Sequence, residues 1–335
     1  MYGKKRQACI LPMPILILVA LCLQNCGGSK EQNEQVQADG GTRPIQVVTT
    51  TGMIADLVRS IGGDAVRVHN LVGVGIDPHL YKPTRDDVTA LLGAQIIFFN
   101  GHHLEGRMGE VLEKAGKDRP TIAVAESITP DELLYPDGVD EYPDPHLWLS
   151  PRLWGECSNT VLEGLTSLRE TDAAIFKSNH ESLLEECTRL EDFGRRSIAS
   201  IPAESRVLIT SHDAFSYFGR AFDIEVQAIQ GISTESEAGL ADLEALVNMV
   251  VARNIPAVFI ESSVPRRSIE ALIEGAAAQG HTVVIGGELY SDSMGPKDTP
   301  EGTWFGMVTH DIETVARGLG GSIDSESSPE IAVPK

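Results

Sequence analysis

The chain has 335 residues and carries 48 acidic against 27 basic side chains, a formal charge of −21. A surface of this sign repels the phosphate backbone, so nucleic acid is excluded as a partner. An acidic surface suits a cation ligand but equally serves solubility, and the length is sufficient for two domains beside the terminal segments.

Residues 1–26 have the pattern of a secretory signal. Three basic residues at positions 4–6 precede an uncharged apolar run over 8–23, which is shorter than the roughly 20 residues of a membrane span. Cys26, followed by two glycines, is typical of a bacterial lipoprotein signal, in which the cysteine is lipidated and becomes the first mature residue. Asn25 is larger than the small residue usual there, so ordinary cleavage and an uncleaved anchor stay open. We expect an extracytoplasmic, membrane-anchored protein, in the periplasm or on a cell surface.

Residues 27–44 are rich in Gly, Gln and Glu and predict a flexible tether, and residues 321–335 predict a disordered tail. Beyond Cys26, the mature chain has two cysteines, Cys157 and Cys187. Outside the cytoplasm they could pair, but the sequence does not show whether their Cα atoms lie within bridging distance.

The first half of the folded chain alternates short apolar runs with helical patterns. The predicted strands are Ile45–Thr50, Val66–Leu71, Ala94–Asn100 and Thr121–Ala125. The predicted helices between them are Met53–Ile61, Thr84–Leu92 and Gly106–Ala115. This order indicates a parallel sheet covered by helices, in an N-terminal α/β lobe over 45–170.

Residues 171–200 contain no strand signal, and their apolar residues recur every three or four positions. They predict one long amphipathic helix of about 40 Å at 1.5 Å per residue. Gly194, near its end, weakens the helical pattern slightly.

The alternation then resumes in a C-terminal α/β lobe over 201–320. The predicted strands are Arg206–Thr210, Val226–Ile229, Ala257–Glu261 and Thr282–Ile285, and the helices are Glu235–Arg253 and Pro265–Gln279. The predicted fold is therefore two parallel-sheet α/β lobes bridged by one long α-helix.

The tetrapeptide Asp-Pro-His-Leu occurs twice, each time before an aromatic residue, and places His79 and His146 on similar stiff loops. His212 directly follows a predicted strand, and Asp292 follows another after a short loop. Ligands of parallel α/β sheets bind beyond the carboxyl ends of the strands. Three imidazoles and a carboxylate, two from each half, predict a divalent transition-metal site in the interdomain cleft.

Each of these residues also has a simpler interpretation. The two Asp-Pro-His histidines could be ordinary turn residues, His212 a strand-end core residue, and Asp292 a turn cap, with Glu261 and Asp213 as substitutes or supporting partners. Because adjacent residues rarely face one site, His102 and His103 are expected in supporting or solvated roles. The other four histidines are expected to be ordinary surface or core residues: His69, His180, His281 and His310.

Taken in this order around the long helix, the motifs over about 45–320 resemble the metal-specific solute-binding lipoproteins of bacterial ABC transporters, the zinc/manganese group of periplasmic solute-binding protein family 9. The stretches that carry the resemblance are Asp77–Tyr81, Asn100–Glu105, Asp144–Trp148, Thr210–Phe215 and Tyr290–Asp292. The resemblance implies that His79, His146, His212 and Asp292 bind one Mn²⁺ or Zn²⁺ ion as transported ligand. It also implies a monomeric receptor, with two lobes that close only modestly, that delivers the ion to a permease driven by a cytoplasmic ATPase.

The acidic loop before the second ligand, 126–144, departs from zinc-dedicated members of the group because it contains no histidine. This favours manganese, or both metals, although three imidazoles alone favour zinc in the Irving–Williams order. Proton competition should weaken binding below about pH 6. Two other function classes stay open: a secreted zinc-dependent hydrolase, and a surface adhesin with a structural metal. No H-E-x-x-H or G-x-S-x-G motif supports an enzyme.

Overall fold

The computed structural model describes residues 43–135, 142–235 and 239–323. The predicted signal with Cys26, nearly all of the tether and most of the tail lie outside these residues, as do positions 136–141 of the acidic loop. Within the described residues, every helix is too short or too polar to cross a bilayer.

The N-terminal lobe is built on four parallel strands in the order β2-β1-β3-β4. They are β1 (Ile45–Thr49), β2 (Val66–Asn70), β3 (Ile96–Phe99) and β4 (Thr121–Ala123). The connecting helices are α1 (Gly52–Gly62), α2 (Arg85–Gly93) and α3 (Gly109–Gly116). Because all strands run the same way, their carboxyl ends meet at one edge, where the chain continues into the loops that carry His79 and His102.

The second half of the chain repeats this alternation with four more strands. They are β5 (Val207–His212), β6 (Glu225–Gln230), β7 (Ala257–Glu261) and β8 (Val284–Leu289). The helices of this lobe are α6 (Ser216–Phe222), α7 (Leu240–Ala252), α8 (Arg267–Ala278) and α9 (Trp304–Gly318). Strands β5 and β6 pair in parallel, as do β7 and β8, and β5 lies beside β7. The predicted mixed α/β fold with parallel sheets is confirmed.

The predicted long helix is observed as α5 (Ala173–Ala199). It packs against α1 of the N-terminal lobe and against α6 and α9 of the C-terminal lobe. At Gly194 a Cβ atom would lie 2.3 Å from Cε1 of Phe222, so the close approach of α5 to α6 requires glycine there. The residue that weakened the helical pattern is therefore one that the packing needs.

A second helix beside α5 was missed by the sequence analysis. Helix α4 (Pro151–Leu168) has proline at its first position and buries Leu153, Trp154, Cys157 and Val161 at three- and four-residue spacing. These are ordinary helix signals. Helix α4 begins soon after the His146 motif, in a stretch for which neither a helix nor a strand was predicted.

The largest apolar core is continuous through both lobes. It joins Ile45 and Phe98 of the first sheet, Phe193 of α5, and Phe259 and Leu289 of the second half. Two smaller cores lie within single lobes. Since interiors pack as densely as organic crystals, a shared core opposes wide relative movement of the lobes.

The end of strand β8 was predicted wrongly. The prediction stopped at Ile285, but the strand continues through Gly286 and Gly287 to Leu289. A Cβ atom at Gly286 would lie 2.8 Å from Phe259, and one at Gly287 would lie 2.3 Å from Thr314. Glycine here reflects close contacts in the tertiary structure rather than a turn.

Cys157 and Cys187, whose pairing the sequence left open, are buried free thiols.

Candidate metal centre

Four side chains from four separate segments of the chain converge between the two lobes. The ligand atoms of His79, His146, His212 and Asp292 all lie within 4.8 Å of one another. Nε2 of His146 is 3.3 Å from Nε2 of His79 and 3.3 Å from Oδ1 of Asp292. Nε2 of His212 is 3.2 Å from Oδ2 of Asp292. The structure thus brings together the residues that the sequence selected as candidate ligands, and all four are at most 5% exposed.

The two Asp-Pro-His copies form the same local turn. The backbone N–H of His79 donates to Oδ1 of Asp77 at 2.8 Å, and that of His146 donates to Oδ1 of Asp144 at 2.9 Å. An aspartate that accepts from the second residue after it is an Asx turn, and the intervening proline restricts the backbone further. The repeat therefore encodes one geometry that presents a histidine.

Apart from this shared bond to the backbone, the two aspartates make different contacts. Oδ1 of Asp144 also lies 2.7 Å from Nδ1 of His146, which directs Nε2 of that imidazole toward the other candidate ligands. Oδ2 of Asp77 instead accepts a hydrogen bond from Thr234 of the C-terminal lobe. That Asp144 orients His146 was not predicted from the sequence, although both residues belong to the same Asp-Pro-His motif.

His212 is the last residue of β5 and is oriented by the last residue of β7, Glu261. Oε1 of Glu261 accepts from the backbone N–H groups of Ser211 and His212 at 2.8 and 2.9 Å. Its Oε2 lies 2.6 Å from Nδ1 of His212. Glu261 was a candidate substitute ligand or supporting partner, and its contacts are those of a supporting partner. The other candidate, Asp213, accepts from Ser216 instead.

Asp292 lies in the loop after β8, which is held at two points that the sequence did not reveal. The indole N–H of Trp148 donates to the Ser291 carbonyl at 2.7 Å, and the backbone N–H of Tyr290 donates to Oδ1 of Asp311 at 2.9 Å. These bonds fix the two residues directly before Asp292, whose carboxylate lies between His146 and His212.

The electrostatics divide the histidines into two kinds. Burial lowers the pKa of His79 to about 3, so this imidazole is neutral. Burial alone would also lower the pKa of His146, but the carboxylates of Asp144 and Asp292 outweigh it and raise the pKa to about 9. For His212, burial is likewise outweighed by Glu261 and Asp292, and the pKa lies well above its ordinary value. Burial would raise the pKa of Asp292, but the two imidazoles beside it hold that pKa well below its usual range.

The donor set fits a divalent first-row transition metal. Nε2 of His212 and both oxygens of Asp292 are buried, and despite their proximity they make no hydrogen bond of good geometry within residues 43–135, 142–235 and 239–323. Buried polar atoms of this kind are costly unless something satisfies them. Three imidazoles and one carboxylate can fill a tetrahedral shell, and the carboxylate can add a fifth donor through its second oxygen.

His102 and His103 lie outside this cluster. With Gly101 they form three consecutive residues of positive φ, and His103 stacks on Tyr142 with ring centroids 4.6 Å apart. Glu105, two residues on, accepts from Thr50 and from the backbone N–H groups of Asn100 and Gly101.

The Asn100–Glu105 segment supports the second histidine turn. The side-chain amide of Asn100 donates to the carbonyl of Pro145 at 3.0 Å, directly before His146. The four other histidines (His69, His180, His281 and His310) also lie apart from the cluster.

Comparison with known proteins places the chain among metal-binding proteins. The sequence model of the family described as "Zinc-uptake complex component A periplasmic" matches residues 47–318. The manganese-binding lipoprotein MntA of Bacillus subtilis is 41% identical over 92% of this chain and 98% of that protein. The zinc-binding protein TroA of Treponema pallidum is 42% identical over 93% of this chain and 97% of that protein. The solved structure of that periplasmic zinc-binding protein covers 83% of this chain and 99% of its own, with a TM-score of 0.80 and 44% identity.

Proposed function

The chain belongs to the family of periplasmic component A proteins of zinc-uptake complexes, and we propose that it captures one divalent transition-metal ion outside the cytoplasm and delivers it to an ABC-type permease. The observation that carries this proposal is the convergence of four buried donor atoms, two from each lobe, within 4.8 Å. We propose that His79, His146, His212 and Asp292 are the ligands of the transported ion.

The cargo that we propose is Mn²⁺ or Zn²⁺. The relative named for manganese and the relative named for zinc are 41% and 42% identical to this chain, so identity does not separate the two metals. Three imidazoles favour zinc, whereas a carboxylate with both oxygens facing the site can raise the coordination number, which suits manganese.

A receptor rather than an enzyme is the function that the site supports. A catalytic zinc keeps one coordination position open for water, whereas the four protein donors here are enough to fill a tetrahedral shell. The same closed shell argues against the secreted hydrolase. Adhesion by itself does not require three histidines and a carboxylate to be buried together, and such burial is costly unless something satisfies these groups.

Membership of the family supports a proposal for the partners and the location. We propose a membrane permease with a cytoplasmic ATPase as the partner, a monomeric receptor, and a lipid anchor at Cys26 that retains it on the outer side of the membrane. The Bacillus relative is named as a lipoprotein, which supports the anchor.

A competitive titration tests the proposal. Residues 27–335 are stripped of metal and titrated with Zn²⁺ and with Mn²⁺ against a chromogenic chelator. We expect one tight equivalent. Loss of a residue that merely supports a ligand costs about 10- to 100-fold in affinity, so His79→Ala and Asp292→Ala should each cost at least about 100-fold.

Two exposed residues of the same types provide matched controls, His69→Ala and Asp118→Ala, which should bind like the wild type. Tight binding that survives both ligand substitutions would refute the four-ligand site.

A further inference from the structure

The proposed ligands differ in how deeply their chain segments are buried. The segments around three of them are buried throughout: residues 144–150, 207–212 and 291–295. His79 is itself buried, but it lies on the His79 loop, residues 73–80, in which positions 73–76 are exposed. The His79 loop is therefore the part of the site wall that solvent reaches, and its movement exposes the site at the least cost in buried surface.

Two hydrogen bonds fasten the His79 loop to the opposite lobe. The backbone N–H of Gly75 donates to Oγ of Ser293 at 2.7 Å, and Ser293 is the buried neighbour of Asp292. Oγ1 of Thr234 donates to Oδ2 of Asp77 at 2.5 Å. The two bonds lie on the same side of His79 in sequence and join it to two different segments of the C-terminal lobe.

Asp77 transmits the second bond to the ligand. One of its oxygens accepts from Thr234 and the other from the backbone N–H of His79. In the second copy of the motif, Asp144 contacts the imidazole of its own histidine instead. The two copies thus share a turn, but only the first uses its aspartate to connect the turn to the other lobe.

An ion pair between Arg107 and Glu235 also joins the two lobes near this point, at 2.7 Å. Both side chains are more than a third exposed, and exposed pairs contribute little. The hydrogen bonds of Ser293 and Thr234 are better shielded from water and are the stronger candidates for holding the loop.

We propose that Thr234 and Ser293 are positioning residues that hold the His79 loop against the C-terminal lobe and so set the rate at which a bound metal ion leaves. The inference rests on the proposed function. Release begins when the two bonds break and His79 withdraws, while the other three ligands keep their places because their segments are buried. Neither residue contacts the ion; each acts through the loop.

Dissociation kinetics test this inference. Thr234→Val, Ser293→Ala and the double variant are prepared in residues 27–335, loaded with Zn²⁺ or Mn²⁺, and mixed with excess chelator. Loss of one hydrogen bond of ordinary net strength corresponds to about a fivefold change in the release rate, so each single variant should release metal about fivefold faster. If the two bonds act independently, the double variant should release it about 25-fold faster. The association rate should fall in none of them.

Matched controls come from α5, where Thr188 and Ser182 are exposed and, among the residues that the structure describes, hydrogen-bond through their side chains only to carbonyls of their own helix. Thr188→Val and Ser182→Ala should release metal at the wild-type rate. The thermal midpoint of metal-free Thr234→Val should stay within about 2 °C of the wild type, because one lost hydrogen bond is a small fraction of the total stability.

Hydrogen exchange of the metal-bound protein adds a readout that general loosening would not reproduce. In the double variant, amide exchange should rise over residues 73–80 and stay unchanged over 144–150. Wild-type release rates in the double variant, or an equal rise in both segments, would overturn the inference. A wild-type protein that binds neither metal would instead reject the proposed function, and this inference with it.

Discussion

Oε2 of Glu261 lies 2.6 Å from Nδ1 of His212, at the carboxyl ends of two neighbouring strands. This contact fixes the imidazole with Nε2 toward the proposed metal position and Nδ1 toward the protein. Asp144 does the same for His146 at 2.7 Å. Two of the three histidines are therefore oriented by a carboxylate that does not itself belong to the ligand cluster.

The first prediction concerns that orientation. Glu261→Gln keeps the size of the side chain and an oxygen for the backbone N–H groups of Ser211 and His212, but it removes the charge behind the imidazole. We expect metal affinity to fall by about 10- to 100-fold. Competitive titration measures the change, with exposed Glu288→Gln as the control. Unchanged affinity in Glu261→Gln would show that the contact does not matter for binding.

The second prediction concerns pH. A metal binds only the neutral imidazole, but the pKa of His146 is raised to about 9 and that of His212 is raised well above its ordinary value, so both are imidazolium cations at pH 7 without metal. His79, with its pKa lowered to about 3, is already neutral. Binding at pH 7 should therefore release up to about two protons, and affinity should rise as pH increases toward 9.

Calorimetric titration in two buffers of different ionisation enthalpy measures that release. Affinity that changes only below pH 6, as ordinary histidines predict, would contradict the raised pKa of His146.

The third prediction concerns the packing of α5. Gly194→Ala would gain up to about 1 kcal/mol of helix propensity, but its Cβ atom would lie 2.3 Å from Phe222. Overpacking costs typically about 1–3 kcal/mol, so after the gain in helix propensity the net effect should be a loss of stability of up to roughly 2 kcal/mol. Urea unfolding measures it. Gly109→Ala is the matched control, since helical Gly109 has open space around it and alanine there should be neutral or stabilising.

The fourth prediction concerns the two thiols. Burial raises the pKa of Cys187 to about 12 and that of Cys157 still further, and both are free. Neither should react with iodoacetamide in the native protein, and both should react after unfolding in guanidinium without a reductant. Mass spectrometry counts the adducts on residues 27–335. An unfolded protein that takes up no label without reductant would reveal a disulfide.

Local signals predicted much of the fold and all four candidate ligands. Strand and helix periodicity indicated the parallel sheets and α5, because side-chain spacing follows directly from backbone geometry. Helix α4 was missed although its signals are local, whereas the error at the end of β8 occurred where packing decides. Strand β8 continues through Gly286 and Gly287 because Phe259 and Thr314 approach them closely, and no residue nearby in sequence announces that contact.

The sequence by itself determined the two histidine turns, because an Asx bond joins residues only two positions apart and proline restricts the backbone between them. Only the tertiary structure decided which carboxylate orients His212 and what holds the His79 loop. Glu261 is 49 residues from His212, and Ser293 is 218 residues from Gly75. Distances between such residues depend on how sheets and helices pack around a core that both lobes share, and local sequence does not encode that packing.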